Sequence, residues 1–78
     1  MAMDKEAFSK KFGTHLKKIR EEKGLSLNEL GLRGDFDRQA LWKLEKGQKH
    51  LTVYSLYKIC DSLDMTLDDF FKGFNKKG

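Results

Sequence analysis

The 78-residue chain contains no proline, a single cysteine, only two histidines and no long apolar run. Without proline, the commonest helix breaker is missing, and so are the stiff turns of a many-stranded design. Cys60 has no second cysteine to pair with, which excludes an internal disulfide and suits a reducing compartment. No apolar stretch is long enough to span a bilayer, and no basic segment leads into an apolar one as in a secretory signal. The expectation is one helical domain, residues 1–78, in the cytoplasm and away from membranes.

Constellations that carry catalysis are also missing. His15 and His50 have no cysteine or carboxylate at ligand spacing, and Cys60 has no base placed beside it. Asp61, Asp64, Asp68 and Asp69 lack the glycine and the twelve-residue frame of a calcium loop. No catalytic residue, metal, cofactor or small-molecule ligand is expected.

What the chain does have is charge, and it is unevenly placed. Charged residues make up 36%, with a net charge of +4. Counting glycine and leaving out tyrosine, apolar residues come to roughly 45%, near the globular norm. Residues 38–50 carry Arg38, Lys43, Lys46 and Lys49 against one acid, Glu45. Residues 59–71 carry Asp61, Asp64, Asp68 and Asp69 with no lysine or arginine. One end should therefore attract phosphates and the other repel them.

Five helices are legible. Helix 1 spans about Lys5 to Lys23, capped by Asp4, with Phe8, Phe12, Leu16 and Ile19 on one stripe. Gly13 should weaken its middle, so that its first turns fray or bend. Gly24 ends it. Helix 2 covers about Leu27 to Arg33 and helix 3 about Arg38 to Lys46. Helix 4 follows Thr52 and buries Leu56, Ile59, Cys60 and Leu63, and helix 5 follows Thr66 and ends near Lys72.

Their starts share one grammar. Ser26 with Glu29 three positions on forms a capping box, and Leu25 and Leu30 form a hydrophobic staple around it. Asp37 repeats the device with Phe36 and Leu41, Thr52 with Leu51 and Leu56, and Thr66 with Met65 and Phe70. Gly47 supplies a left-handed stop. The ordered core is expected over about 5–72, with a loose tail at 73–78, Phe74 excepted.

Two short helices joined by a tight turn, the second basic on its outer side, suit entry into a DNA major groove. Arg38 and Gln39 lie in the first turn of helix 3, where arginine can pair with guanine and glutamine with adenine. Lys43 follows one turn after Gln39. These three are the candidate base contacts. Asn28, Lys46, Gln48, Lys49, His50 and Thr52 are candidate backbone contacts, which fix register without reading sequence. His50 is read as a neutral phosphate contact. Trp42 falls outward, either against a sugar or thymine methyl or packed on the basic loop or helix 4.

With these residues placed, the stretch from about Phe12 to Phe71 resembles the helix-turn-helix domain of the phage Cro/C1-type repressors and the wider xenobiotic-response-element-like family of bacterial regulators. The likeness rests on Ile19-Arg20, Glu22 through Ser26, Glu29-Leu30, Asp37-Arg38, Leu41, Leu44 through Gly47, and Leu56 through Cys60 with Leu63. In size and in the run from Asp37 to Thr52 it is also similar to controller proteins of restriction–modification systems. Antitoxins and small plasmid or transposon regulators share the domain.

The resemblance implies an all-α fold, a compact five-helix bundle of the phage-repressor DNA-binding type. It also implies a structural pair of Arg20 with Glu45. Three positions depart from the family pattern. Leu27 stands where a phosphate-reaching glutamine is usual, Gly31 where alanine is usual, and Gly34-Asp35 where the turn has an apolar residue then glycine.

The function expected is sequence-specific binding of double-stranded DNA by a homodimer that regulates transcription. Its operator should have two-fold related half-sites, since one such domain makes few base contacts. The dimer surface should lie away from the basic face, at Leu67, Phe71 and Phe74, the alternative being that Phe74 folds back to close its own protomer's core. The alternative is an antitoxin-like module that covers a protein partner, with DNA binding secondary.

Overall fold

The computed structural model describes residues 3–74, and the expectation of a loose tail beyond Phe74 lies outside them. Five helices follow in order: α1 (Lys5–Glu22), α2 (Leu27–Gly34), α3 (Arg38–Glu45), α4 (Val53–Ser62) and α5 (Leu67–Phe71). No strand occurs among the described residues. The Cα radius of gyration is 11.9 Å, close to the roughly 11.5 Å of a folded domain this long.

The capping grammar explains where most helices start. Asp4, Ser26, Thr52 and Thr66 each accept a hydrogen bond from the backbone three residues on. At Ser26 the box is complete, because Glu29 accepts in return from the Ser26 N–H at 2.9 Å. That bond holds the Glu29 carboxyl below its ordinary pKa. Asp37 is the exception: it has the extended backbone of a cap but makes no side-chain cap bond. The start of α3 rests instead on its staple residues, half-buried Phe36 and buried Leu41.

The core draws on all five helices and the segment between α1 and α2. Leu16, Leu30, Leu41, Ile59, Leu63 and Phe70 are fully buried, joined by Phe12, Ile19, Leu25, Leu44, Cys60 and Phe74. Phe8 is the outlier of the α1 stripe at 42% exposed. Leu56 is half-buried against the core rather than within it.

Three glycines act through the space they leave, and this corrects two expectations. α1 runs unbroken through Gly13, where the backbone carbonyls of Leu44 and Glu45 press so close that a Cβ could not fit. Gly13 is therefore the seat of the α3 C-terminus and not a weak point. At Gly31 a Cβ would lie 2.9 Å from the Phe36 carbonyl oxygen, so the turn needs glycine where alanine is usual. α2 continues through Gly34, and the left-handed position is taken by Asp35 (φ 56°, ψ 47°). Aspartate tolerates that conformation better than most residues. Gly34 itself is buried, with the Phe36 ring and the Ser62 hydroxyl at 2.6 Å from where its Cβ would be.

Candidate nucleic-acid interface

α3 is pinned on one side only. Leu41 and Leu44 are buried, whereas Arg38, Gln39, Trp42 and Lys43 are exposed and line one shallow depression. Arg38 and Gln39 occupy the first turn, beside the Asp35 turn, so long polar side chains project from the helix end. That arrangement presents two planar hydrogen-bonding groups and an ammonium along one face. It can meet base edges in a groove wide enough for a helix.

The depth of α3 is set by a buried ion pair. Arg20 Nε donates to Glu45 Oε2 at 2.6 Å, Nη2 donates to Oε1 at 3.1 Å, and Nη1 donates to the Leu25 carbonyl at 2.7 Å. Both side chains are nearly buried, at 10% and 5% exposed. The Glu45 hydrogen bond raises the Arg20 pKa further, so the guanidinium stays charged. One residue thus ties α1, the α1–α2 connection and the end of α3 together. The pairing that the resemblance implies is present.

The backbone of the connection after α3 is engaged in closing the helix. The N–H groups of Lys46, Gly47 and Gln48 donate to the Trp42, Leu44 and Lys43 carbonyls, closing the helix through left-handed Gly47 (φ 75°). Those N–H groups are thereby committed to the helix end, whereas the side chains of Lys46, Gln48 and Lys49 are exposed. Thr52 Oγ1 accepts from the Ser55 N–H and donates to the Ser55 hydroxyl, so its side chain is committed to the α4 cap. Asn28 is exposed on the first turn of α2.

His50 is tethered. Its Nδ1 lies 3.0 Å from the hydroxyl of buried Ser9, which itself donates to the Lys5 carbonyl at 2.9 Å. With the serine proton so engaged, Nδ1 is the donor, and a neutral ring would then offer Nε2 only as an acceptor. An acceptor has the wrong polarity for a phosphate oxygen. His50 fastens the loop to α1, and its reading as a neutral phosphate contact is corrected accordingly.

Trp42 is 45% exposed and stands beside α1, with Lys46 at the start of the basic loop reaching over its ring. It forms the wall between the depression described above and a second groove shared with Lys10, Thr14 and Lys17 of α1. The ammonium of Lys46 sits 5.6 Å from its ring centre. The α1 lysines were not among the expected contacts, because nothing local in the sequence sets them beside α3.

On another side of α1 the aromatic residues close on themselves. Gly73 takes a left-handed turn (φ 81°) and returns Phe74 to the core, 6% exposed, against Phe8, His15 and Phe71. The Lys11 ammonium caps its ring at 4.9 Å. His15 Nε2 hydrogen-bonds the Phe70 carbonyl. Phe74 is thereby withdrawn from the candidate dimer surface, and Phe71 is half-buried. Leu67 remains 38% exposed, beside Tyr57 at 56% and the half-buried Met65. Tyr57 and its stacked neighbour Tyr54 did not stand out in the sequence, since the α4 apolar stripe fixes only its inner face.

Cys60 is buried, and burial pushes its thiol pKa up, which disfavours the reactive thiolate. No group of histidine, cysteine and carboxylate side chains able to hold a metal occurs among the described residues, and no helix there is long and apolar enough to cross a membrane.

A helix pair with a tight turn, seated on a third helix and presenting a polar outer face, defines a helix-turn-helix domain. The helix-turn-helix family HTH_3 matches residues 16–70, and the chain belongs to that family, of the Cro/C1 type. It is 34% identical over 68 residues to the control protein C.MunI of a Mycoplasma species, covering 86% of this chain and 92% of that one. The crystal structure of the restriction–modification controller protein C.AhdI from Aeromonas hydrophila is similar at a TM-score of 0.80, with 31% identity over 83% of this chain and 98% of that one. The controller protein C.Esp1396I, solved as a tetramer on its natural 35 base-pair operator, also matches at 0.80, with 31% identity over 86% and 88%.

Proposed function

We propose that this chain is a cytoplasmic, sequence-specific double-stranded DNA-binding protein that regulates transcription as a homodimer, with α3 in the major groove. The observation that carries the reading is the division of α3: Leu41 and Leu44 are locked inside, while Arg38, Gln39 and Lys43 share the exposed face. Arg38 and Gln39 read base edges and Lys43 follows the groove. Asn28, Trp42, Lys46, Gln48 and Lys49 hold the phosphate backbone. The operator-bound tetramer of C.Esp1396I supports both the ligand class and the use of several copies. Leu67, beside Tyr57, and Phe71 supply the contact between copies and leave the basic face free.

The test is selection of bound duplexes from a random pool by the purified protein, followed by the same selection with Arg38→Ala. A two-fold related motif is expected from the wild type. The variant should bind that site about 1–3 kcal/mol more weakly and lose preference at one base pair per half-site. An unchanged motif with Arg38→Ala would show that α3 does not read the groove as stated.

A further inference from the structure

The groove between α1 and α3 has an electrostatic character that the helix-turn-helix does not account for. It is lined by three lysines, Lys10 and Lys17 of α1 and Lys46 just after α3, together with Thr14 and Trp42. One carboxylate borders it, Glu45, and both of its oxygens are already bound by Arg20. Lys10 also approaches Glu6 at 3.4 Å, but both side chains are more than two-thirds exposed, and such pairs hold weakly. The groove is therefore a cluster of positive charge with no anion of its own inside it.

Its position follows from the glycines. Gly13 admits the Leu44 and Glu45 carbonyls, and a Cβ at Gly47 would fall 2.9 Å from the Lys10 Cα. Backbone meets backbone at both points, so the α1 lysines stand directly beside the exposed flank of α3. Trp42 separates them from Arg38, Gln39 and Lys43.

We propose that this groove is a second phosphate-binding surface, in which Lys10 and Lys17 of α1 grip the DNA strand that borders α3. Trp42 forms the wall between base reading on one side and phosphate binding on the other. The assignment rests on the DNA-binding reading above. It adds α1 to the interface and gives the outward tryptophan a place. A lysine pair there neutralises phosphates without regard to sequence, so it contributes affinity and salt dependence but no base preference.

The experiment measures equilibrium binding to the selected duplex and to an unrelated duplex across a salt series. It compares wild type, Lys10→Ala/Lys17→Ala, and a charge-matched control, Lys18→Ala/Lys72→Ala, with thermal melts confirming that all three fold. For two phosphates lost, the slope of log affinity against log salt should fall by roughly 1.8. Both duplexes should weaken by similar factors, the selected motif should stay the same, and the control should change the slope much less. A slope equal to wild type would overturn the proposal while leaving the DNA-binding reading intact. So would a control that falls as far as the α1 pair, since the effect would then be one of net charge. Absence of salt-dependent binding by the wild type would remove both.

Discussion

Two sides of α1 are held by opposite means. Toward α3, backbone lies on backbone: Gly13 receives two carbonyls and one buried ion pair locks the junction. Toward α5, rings lie on rings: Phe8, Phe12, His15, Phe70, Phe71 and Phe74 form a cluster of edge, tilted and stacked contacts. A backbone contact admits almost no adjustment, whereas a ring cluster can shift rotamers and repack. The rigid junction is the one that fixes the recognition helix. The adaptable one lies against α5, where contact between copies is proposed. Precision has been placed where a helix must meet base edges.

The comparison is broken most sharply at the ion pair. Glu45→Ala leaves Arg20 buried without its partner, and breaking one side of such a pair costs about 3–5 kcal/mol. For a chain whose whole stability is on the order of 4–12 kcal/mol, that approaches unfolding. Urea denaturation of Glu45→Ala, Arg20→Ala and the double variant should show the double costing well under the sum. Full additivity would mean that the pair does not act as a unit.

At the other end, Phe74→Ala should cost about 3 kcal/mol, in line with truncation of a buried phenylalanine. Leu67→Glu should leave the monomer nearly as stable and instead weaken self-association in sedimentation. If Phe74→Ala were harmless to stability but abolished the dimer, Phe74 would belong to the interface after all. That outcome would restore the expectation drawn from the sequence.

Gly13 separates local propensity from tertiary fit. In an isolated helix Gly→Ala gains about 1 kcal/mol. Here the added methyl collides with the Leu44 and Glu45 carbonyls, and overpacking of this kind costs about 1–3 kcal/mol. Gly13→Ala should therefore destabilise the fold, measured as a lower denaturation midpoint, and weaken DNA binding because α3 is displaced. A stabilised Gly13→Ala would show that α1 and α3 have room to part.

These residues also mark what the sequence could tell. Helix starts at Asp4, Ser26, Thr52 and Thr66 were legible because a cap is a contact over three residues. The polar face of α3 was legible because Leu41 and Leu44 orient it by period alone. The Arg20–Glu45 pair spans 25 residues and came only through family likeness. Gly13 read as weakness because its partner is the backbone of another helix, which no side-chain pattern reports. The same blindness hid Lys10 and Lys17, which share a groove with Trp42.

The smallest expected effect lies at the start of α2, in a contact local enough to be read from sequence and exposed enough to be tuned by pH. The Glu29 carboxylate accepts from the Ser26 N–H, and this favours its charged form, so its folded pKa lies below its unfolded one. A depressed folded pKa means that the contribution is complete above the unfolded carboxylate range and is lost as pH falls through the folded value. Glu29→Gln keeps an oxygen that can accept the same hydrogen bond but cannot titrate. Wild type and variant should thus have similar thermal midpoints near neutrality, the wild type slightly higher from its charge at the helix N-terminus. As pH falls below the ordinary carboxylate range, that small advantage should disappear. A gap that stays constant across the acid range would show that Glu29 stabilises α2 by something other than its charged hydrogen bond to the cap.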